Sequence, residues 1–273
     1  MSFNPLGQQT EYVSTYSPQL LFPIARAESR KMLDIATALP FFGVDIWTGY
    51  ELSWLNLQGK PIVAIAEFFI PCDSEFIIES KSFKLYLNSL NQTRYETVAE
   101  VEALLAKDLS AAARAEVRVQ LYPLSSPAPA HLLKTTALNG TLLDDLPVSV
   151  NTYHPAPELL TTSDEVVSES LVSNLLKTNC PVTGQPDWAS IVVQYSGKKI
   201  EPESLLRYII SFREHQDFHE HCVERIFNDI MAICKPERLS VYARYTRRGG
   251  LDINPFRTSH AAEQPELLRI LRQ

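Results

Sequence analysis

Glycine is scarce in this chain of 273 residues, and its few glycines form no phosphate-binding motif. There are nine of them, and no GxGxxG follows a strand-like segment. That motif lets the backbone of a βαβ unit approach the pyrophosphate of a dinucleotide. Its absence gives no support to a Rossmann-type site.

Cysteines and long apolar runs are also few. The chain has four cysteines and no CxxC pair: Cys72, Cys180, Cys222 and Cys234. This spacing does not suit a disulfide scaffold, whereas free thiols suit a reducing compartment. No apolar run reaches the ~18 residues of a membrane helix. The N-terminal segment lacks a basic region followed by an apolar one, so we expect a cytoplasmic protein without a membrane span.

Positive charge is in deficit, with 25 Lys and Arg against 32 Asp and Glu. A net charge of −7 argues against general binding of nucleic acid or anionic membranes. One local cationic cluster stands out, because Arg244, Arg247 and Arg248 precede Gly249-Gly250. Two glycines let the backbone approach a ligand closely. The cluster could bind the phosphates of a dinucleotide or be a solvated turn.

Strand and helix patterns recur in the same order in both halves of the chain. Alternating apolar residues predict strands at 44–54, 61–70 and 116–122, with helices at 82–89 and 98–109. The second half predicts strands at 168–177, 188–195 and 239–246, with helices at 203–215 and 218–233. An offset of 122 residues aligns identical side chains of two helices: Glu79 with Glu201, Ser82 with Ser204, Tyr86 with Tyr208, and Ser89 with Ser211.

This repetition favours an internal duplication, in which antiparallel sheets are covered by helix pairs in an α+β fold. We predict an extended N-terminal arm at 1–40, a first module at 41–150 and a second at 151–273. Open sheet edges require pairing or cover, so we expect at least a homodimer.

Cys180 is the cysteine best placed for chemistry. It follows a predicted strand and begins the turn CPVTGQPD, which can fold Asp187 back towards it. A thiolate nucleophile next to a carboxyl group that delivers a proton is a workable pair. The alternative is an inert buried thiol with a turn aspartate.

Two further segments are dense in polar chemistry. In the first, Glu79 could accept hydrogen bonds from a purine-like amidine edge, and Ser80 and Lys81 could hold phosphate; helix capping is the alternative. In the second, His215 and His219 would share a helix face and suggest a metal site. A helix that starts after an N-cap at Asp217 argues against that site. A solvated polar turn is a third reading.

Four segments together resemble the long, bimodular type of the QueF nitrile reductases: ESKSFKLY at 79–86, CPVTGQPDW at 180–188, FHE at 218–220 and RRGGLDINPFR at 247–257. The resemblance implies two tandem tunnelling-fold (T-fold) modules. It also implies NADPH-dependent reduction of the free base 7-cyano-7-deazaguanine in queuosine synthesis. It implies neither a metal nor a nucleic-acid or membrane partner.

The resemblance also assigns roles. Cys180 would form a covalent thioimide and Asp187 would donate the proton. The base would be held by Ile78, Glu79, Ser80, His219 and Glu220. NADPH would be contacted by Ser80, Lys81, Arg248 and Gly249. Two rival functions stay open: a GTP cyclohydrolase-like pterin enzyme on the same fold, and a non-catalytic purine-binding protein.

Overall fold

The structure is a computed structural model and describes residues 12–35 and 38–273. Its strands are β1 (Pro23–Ala25), β2 (Phe42–Leu55), β3 (Pro61–Pro71), β4 (Phe76–Ile78), β5 (Arg118–Pro123), β6 (Thr141–Leu142), β7 (Thr162–Asn179), β8 (Pro186–Ile200), β9 (Arg238–Tyr245) and β10 (Leu251–Thr258). Its helices are α1 (Arg26–Met32), α2 (Ser80–Ser89), α3 (Val98–Ala113), α4 (Ala130–Leu133), α5 (Pro202–Ser211) and α6 (His219–Cys234).

The chain divides into two compact units. The first comprises the described part of Met1–Met32 together with Val44–Lys134 and Arg247–Ile253. The second comprises the described part of Leu33–Gly43 together with Thr135–Thr246 and Asn254–Gln273. The predicted boundaries at 40 and 150 stay predictions. Residues 1–11 and 36–37 of the predicted arm lie outside the described residues.

In the first unit, three antiparallel strands in the order β5-β3-β2 carry α2 and α3. On α3, apolar residues recur every fourth position at Val101, Leu105 and Leu109, so they lie on one face. That face packs into a buried core with Trp47 and Phe68 of the sheet. A separate pairing of β1 with β4 leads directly into α2.

In the second unit, the strands follow the order β10-β9-β8-β7-β6. The hairpin of β7 and β8 is its longest pairing, from Thr162 opposite Ile200 to Asn179 opposite Pro186. The amphipathic helices α5 and α6 bury residues such as Leu205 and Phe227. Strands β1–β4, β2–β3, β3–β5, β7–β8, β8–β9 and β9–β10 pair antiparallel and β6 pairs parallel with β7, which confirms the predicted α+β class with mostly antiparallel sheets.

The two helices aligned by the 122-residue offset make matching hydrogen bonds within their own units. The Tyr86 hydroxyl donates to Asp108 over 2.7 Å, and the Tyr208 hydroxyl donates to Asp229 over 2.6 Å. Two serines per helix donate to carbonyls three residues earlier: Ser82 to Glu79, Ser89 to Tyr86, Ser204 to Glu201 and Ser211 to Tyr208. The repeat in the sequence is therefore a repeat of local structure.

Strand β10 is missing from the sequence-based assignment. Its segment LDINPFRT contains Pro255, which has no N–H for a ladder and argues against a strand. Residues Phe256 to Thr258 nevertheless pair with β9, and the strand is buried throughout. Among the described helices, none combines the length and apolar content that crossing a membrane requires.

Candidate active site

The Cys180 turn closes the long hairpin of the second unit. Asp187 lies opposite Thr178 in the ladder, and Cys180 follows the last residue of β7. The backbone N–H of Cys180 donates to the carbonyl of Gln185 over 2.9 Å, and the N–H of Gly184 donates back to the Cys180 carbonyl over 3.0 Å. Gly184 has a φ of +68°, which favours glycine. The turn thus fixes a buried cysteine at the end of a rigid hairpin.

Asp187 is buried and lies beside His219. The Nε2 atom of His219 is 3.3 Å from Oδ2 of Asp187. Nδ1 of His219 is buried and has no hydrogen-bond partner among the described residues. A histidine with one nitrogen at a carboxyl group and the other unpaired can offer that second nitrogen to a ligand.

His219 and Glu220 open helix α6, and both side chains are largely shielded from solvent. Glu220 is 2% exposed, which is rare for a carboxylate without a structural or chemical task. The sequence places them side by side, and the structure brings Asp187 to the same helix end. The second unit contains all four of these predicted site residues: Cys180, Asp187, His219 and Glu220.

Tyr245 is a site residue that sequence reasoning missed. Its ring is fully buried and stacks on the His219 imidazole, with centroids 3.6 Å apart and planes inclined by 2°. Burial raises the pKa of the Tyr245 hydroxyl well above its ordinary value. Tyr245 ends a strand far along the chain from His219, so no local spacing could have linked the two.

The metal hypothesis loses its geometric basis. Helix α6 begins at His219, whereas His215 follows a 3-10 turn and precedes the helix, so the two histidines share no helical face. The N-cap position is Phe218, one residue later than the predicted Asp217. Among the described residues, no group of three His, Cys, Asp or Glu side chains could hold a metal.

Asp217 organises the loop before α6. It accepts the Phe218 N–H over 2.8 Å and lies 3.2 Å from Nδ1 of His221 and 3.6 Å from Nε2 of His215. Burial favours a higher pKa for Asp217, but the nearby imidazoles of His215 and His221 outweigh it and hold the pKa below its ordinary value. This carboxylate therefore fixes the loop that presents His219.

Glu79, in the first unit, caps helix α2. Its Oε1 accepts the Lys81 N–H over 2.9 Å, and its Oε2 accepts the Ser82 N–H over 2.7 Å. The capping alternative is thus realised, and Ile78 is buried at the end of β4 beside it. A carboxylate has about four acceptor positions, so capping leaves two for a ligand.

A cavity of ≈ 670 Å³ in the first unit is lined by two of the residues predicted to bind the cofactor, Lys81 and Gly249. Gly249 has a φ of +61°, and a Cβ added there would lie 3.4 Å from Cδ of Lys84. A Cβ at Gly250 would lie 2.5 Å from Cδ of Glu51, which leaves no room for a side chain. Two lysines next to a pair of glycines suit a ligand that carries phosphate groups, because the lysines supply positive charge and the glycines let the ligand approach the backbone. The residues of this cavity therefore fit a dinucleotide.

Two domain models match the chain. A nitrile reductase, 7-cyano-7-deazaguanine-reductase N-terminal model matches residues 12–121, and a QueF-like protein model matches residues 186–264. The NADPH-dependent 7-cyano-7-deazaguanine reductase of Saccharophagus degradans is 57% identical over all of both chains. This chain belongs to the QueF nitrile reductase family.

Other relatives match this QueF family member over nearly all of their length. The proteins with the same name from Azoarcus sp. and Bordetella avium are 55% and 56% identical, over 99% and 100% of this chain and 95% and 99% of their own. The crystal structure of the archaeosine synthase QueF-Like in the apo form aligns at 17% identity with a TM-score of 0.30, over 35% of this chain and 94% of its own. At that TM-score the alignment does not establish a shared fold.

The matched ranges contain most predicted site residues of this family member. Residues 78–81 lie in the first range, and Asp187, His219, Glu220, Arg248 and Gly249 lie in the second. Cys180 falls between the two ranges, within the span that the full-length relatives cover. The individual roles stay predictions.

The prediction that Arg244 belongs to a cationic cluster with Arg247 and Arg248 is wrong. Arg244 is 4% exposed, and its Nε and Nη2 donate to Oε1 of Gln273 over 2.9 and 2.8 Å. Its Nη1 donates to the hydroxyl of Tyr242 over 2.6 Å. Arg247 is exposed with its guanidinium 4.4 Å from the Tyr50 ring, so Arg247 and Arg248 remain as the candidate cationic pair.

Lys84 is a second residue that sequence reasoning missed. It lines the cavity with Lys81, and a Cβ added at Gly249 would lie 3.4 Å from its Cδ. The signal was present, because residues three apart on a helix share a face and Lys84 follows Lys81 at that spacing.

Proposed function

We propose that this QueF family member reduces the nitrile of 7-cyano-7-deazaguanine to an aminomethyl group with two molecules of NADPH, in queuosine biosynthesis. The observation that carries the proposal is the grouping of Asp187 and His219 at the end of the hairpin that begins its turn with Cys180. Relatives that bear the reductase name over their full length support the substrate.

In the proposed first step, the Cys180 thiolate adds to the nitrile carbon. A carbon–sulfur bond forms, and one π pair of the triple bond moves to nitrogen, which takes a proton from Asp187. The resulting thioimide accepts hydride more readily than the nitrile, which is the purpose of covalent catalysis. The contact with His219 holds the Asp187 carboxyl group in place for this transfer.

The chemistry that NADPH supplies when bound is hydride, once for the thioimide and once for the imine. After the first reduction, the carbon–sulfur bond breaks and Cys180 leaves as a thiolate, which yields the imine. In the second reduction, hydride would add to the imine carbon and a second proton, drawn from solvent, would reach the nitrogen, which gives the amine. Four electrons are consumed in total, which requires two cofactor molecules in succession.

Two residue groups of the first unit complete the proposal. Recognition of the base is assigned to Glu79, with Ile78 and Ser80, and to His219 and Glu220. Lys81 binds the cofactor phosphates together with Gly249, and Ser80 and Arg248 assist. The cavity lined by Lys84 and Gly249, together with the lack of room for a side chain at Gly250 beside Glu51, supports this assignment.

The finer architecture belongs to the same proposal. The matching hydrogen bonds around Tyr86 and Tyr208 support two tandem T-fold modules, divided at about residues 40 and 150 as the sequence suggests. We further propose a cytoplasmic homodimer that acts on the free base. The net charge of −7 supports the absence of a nucleic-acid partner.

The deciding experiment follows NADPH absorbance after 7-cyano-7-deazaguanine is added to the purified protein. We expect oxidation of two NADPH per base and the mass of the aminomethyl product. A base-binding protein would bind without oxidising NADPH. A cyclohydrolase would open a pterin precursor and leave NADPH untouched. Either of those results would overturn the proposal.

A further inference from the structure

The contact between His219 and Tyr245 is closer and more parallel than aromatic pairs usually choose. Such pairs favour offset or edge-to-face arrangements with centroids about 4.5–7 Å apart. Here the centroids are 3.6 Å apart and the planes differ by 2°. The surrounding structure therefore imposes the stack.

The backbone of Tyr245 is clamped on both sides. Its N–H donates to Oδ1 of Asn254 over 3.1 Å, and its carbonyl accepts from Nε2 of Gln273 over 2.9 Å. The same Gln273 nitrogen donates to Oδ1 of Asn254 over 2.8 Å, and Arg244 holds the Gln273 oxygen. All these side chains are buried, so they resist displacement of the tyrosine.

The far end of the Tyr245 ring is sealed from solvent. Its hydroxyl lies next to Cys222 and Thr178, and burial raises the pKa of the Cys222 thiol to about 12. The Tyr245 hydroxyl and the Cys222 thiol are therefore both neutral at physiological pH. The ring presents an uncharged, immobile wall to one face of the imidazole.

We propose that Tyr245 is a positioning residue whose ring fixes the plane of the His219 imidazole, so that Nε2 stays at Asp187 and the buried Nδ1 stays available to the substrate. This role rests on the proposed function of His219. In this role Tyr245 acts through His219 and not on the reacting atoms, and Gln273 and Asn254 act one step further back.

The first test needs no activity. We would record NMR signals of the His219 ring in the wild type, Tyr245→Phe and Tyr245→Leu. A stacked ring shifts the imidazole signals upfield. We expect the phenylalanine variant to keep that shift and the leucine variant to lose it. Unchanged signals in Tyr245→Leu would refute the stack, whether or not the protein reduces nitriles.

The second test is a double-mutant cycle on turnover. We expect Tyr245→Phe to stay within about twofold of wild type and Tyr245→Leu to lose about tenfold or more in kcat, since misplacing a catalytic group by ~1 Å can cost ~100-fold. In a His219→Ala background, the leucine change should add no further loss. An equal loss in both backgrounds would overturn the proposal.

Tyr195→Leu is the matched control, because it removes an equally buried tyrosine of the second unit that bonds to Glu169 instead. The loss of kcat caused by Tyr195→Leu, measured on folded protein, should be the same in the wild-type and His219→Ala backgrounds. Should Tyr245→Leu fail to fold, Gln273→Ala replaces it in the cycle, since it loosens the clamp without opening a hole beneath the imidazole. The same non-additivity is expected, and additivity would again contradict the role.

Discussion

Asp187 lies opposite Thr178 in the antiparallel ladder that leads into the Cys180 turn. Residues directly opposite each other in such a ladder project to the same face, with Cβ atoms about 4.5–5.5 Å apart. Thr178 is fully buried, so this rung of the ladder is shielded from solvent. The Asp187 carboxyl group therefore lies one residue pair away from the turn that contains Cys180, the proposed nucleophile.

The first prediction concerns Asp187. Asp187→Asn keeps the shape of the side chain but cannot serve as an acid, so we expect unchanged binding of the base and a loss of about 100-fold or more in kcat. Calorimetry measures the binding and NADPH consumption measures the rate. Turnover at the wild-type rate would exclude Asp187 as the proton donor.

The second prediction concerns the lysines of the first-unit cavity. Lys84→Ala and Lys81→Ala should each raise KM for NADPH by about fivefold or more, because each removes a cation from the proposed phosphate site. The matched control is Lys107→Ala, an exposed lysine of α3 away from the cavity. If Lys84→Ala leaves KM for NADPH at the control value, the cavity does not bind the cofactor phosphates.

The third prediction concerns acid stability. Despite burial, the nearby imidazoles of His215 and His221 lower the pKa of Asp217 below its ordinary value. A lowered carboxyl pKa adds stability above the ordinary pKa, and that stability is lost as the pH falls through the folded-state pKa. We expect Asp217→Asn to cost about 1–3 kcal/mol at neutral pH and less in acid, by urea unfolding. A cost that does not shrink in acid would contradict this.

The fourth prediction tests the structural repeat. Tyr86→Phe and Tyr208→Phe each remove one hydroxyl that donates to an aspartate within its own unit. Each should lower the free energy of unfolding by about 1–2 kcal/mol, because a partly buried carboxylate loses one donor. Asp108 keeps a second donor, the Tyr16 hydroxyl at 2.8 Å, so the cost of Tyr86→Phe should lie at the lower end. Tyr153→Phe, at a partly exposed tyrosine, serves as control. Widely different costs for the two would argue against equivalent local structures.

Local patterns predicted most of the fold correctly, because strands and helices with one buried face leave a period in the sequence. The predicted strand at 61–70 is β3 (Pro61–Pro71), and the predicted helix at 218–233 is α6 (His219–Cys234). The turn from Cys180 to Asp187 could be predicted for the same reason, since two strands bracket it. The hairpin register then brings its ends together.

Features that depend on distant residues could not be predicted. The sequence predicts a surface cation at Arg244 beside Arg247. In the structure Arg244 is buried and donates to Gln273, 29 residues further along the chain. The stack of Tyr245 on His219 likewise joins a strand end to a helix start. Glu79 illustrates a third limit, since the pattern ESKS fits both capping and ligand binding, and the structure realises the first while leaving room for the second.

The central claim is the bond between sulfur and the nitrile carbon. Intact-protein mass spectrometry of the wild type, incubated with 7-cyano-7-deazaguanine in the absence of NADPH, measures it most directly. We expect an added mass equal to one base, mapped by peptide analysis to Cys180, and no added mass on Cys180→Ala. An adduct that persists on Cys180→Ala, or maps to Cys72, Cys222 or Cys234, would contradict the account.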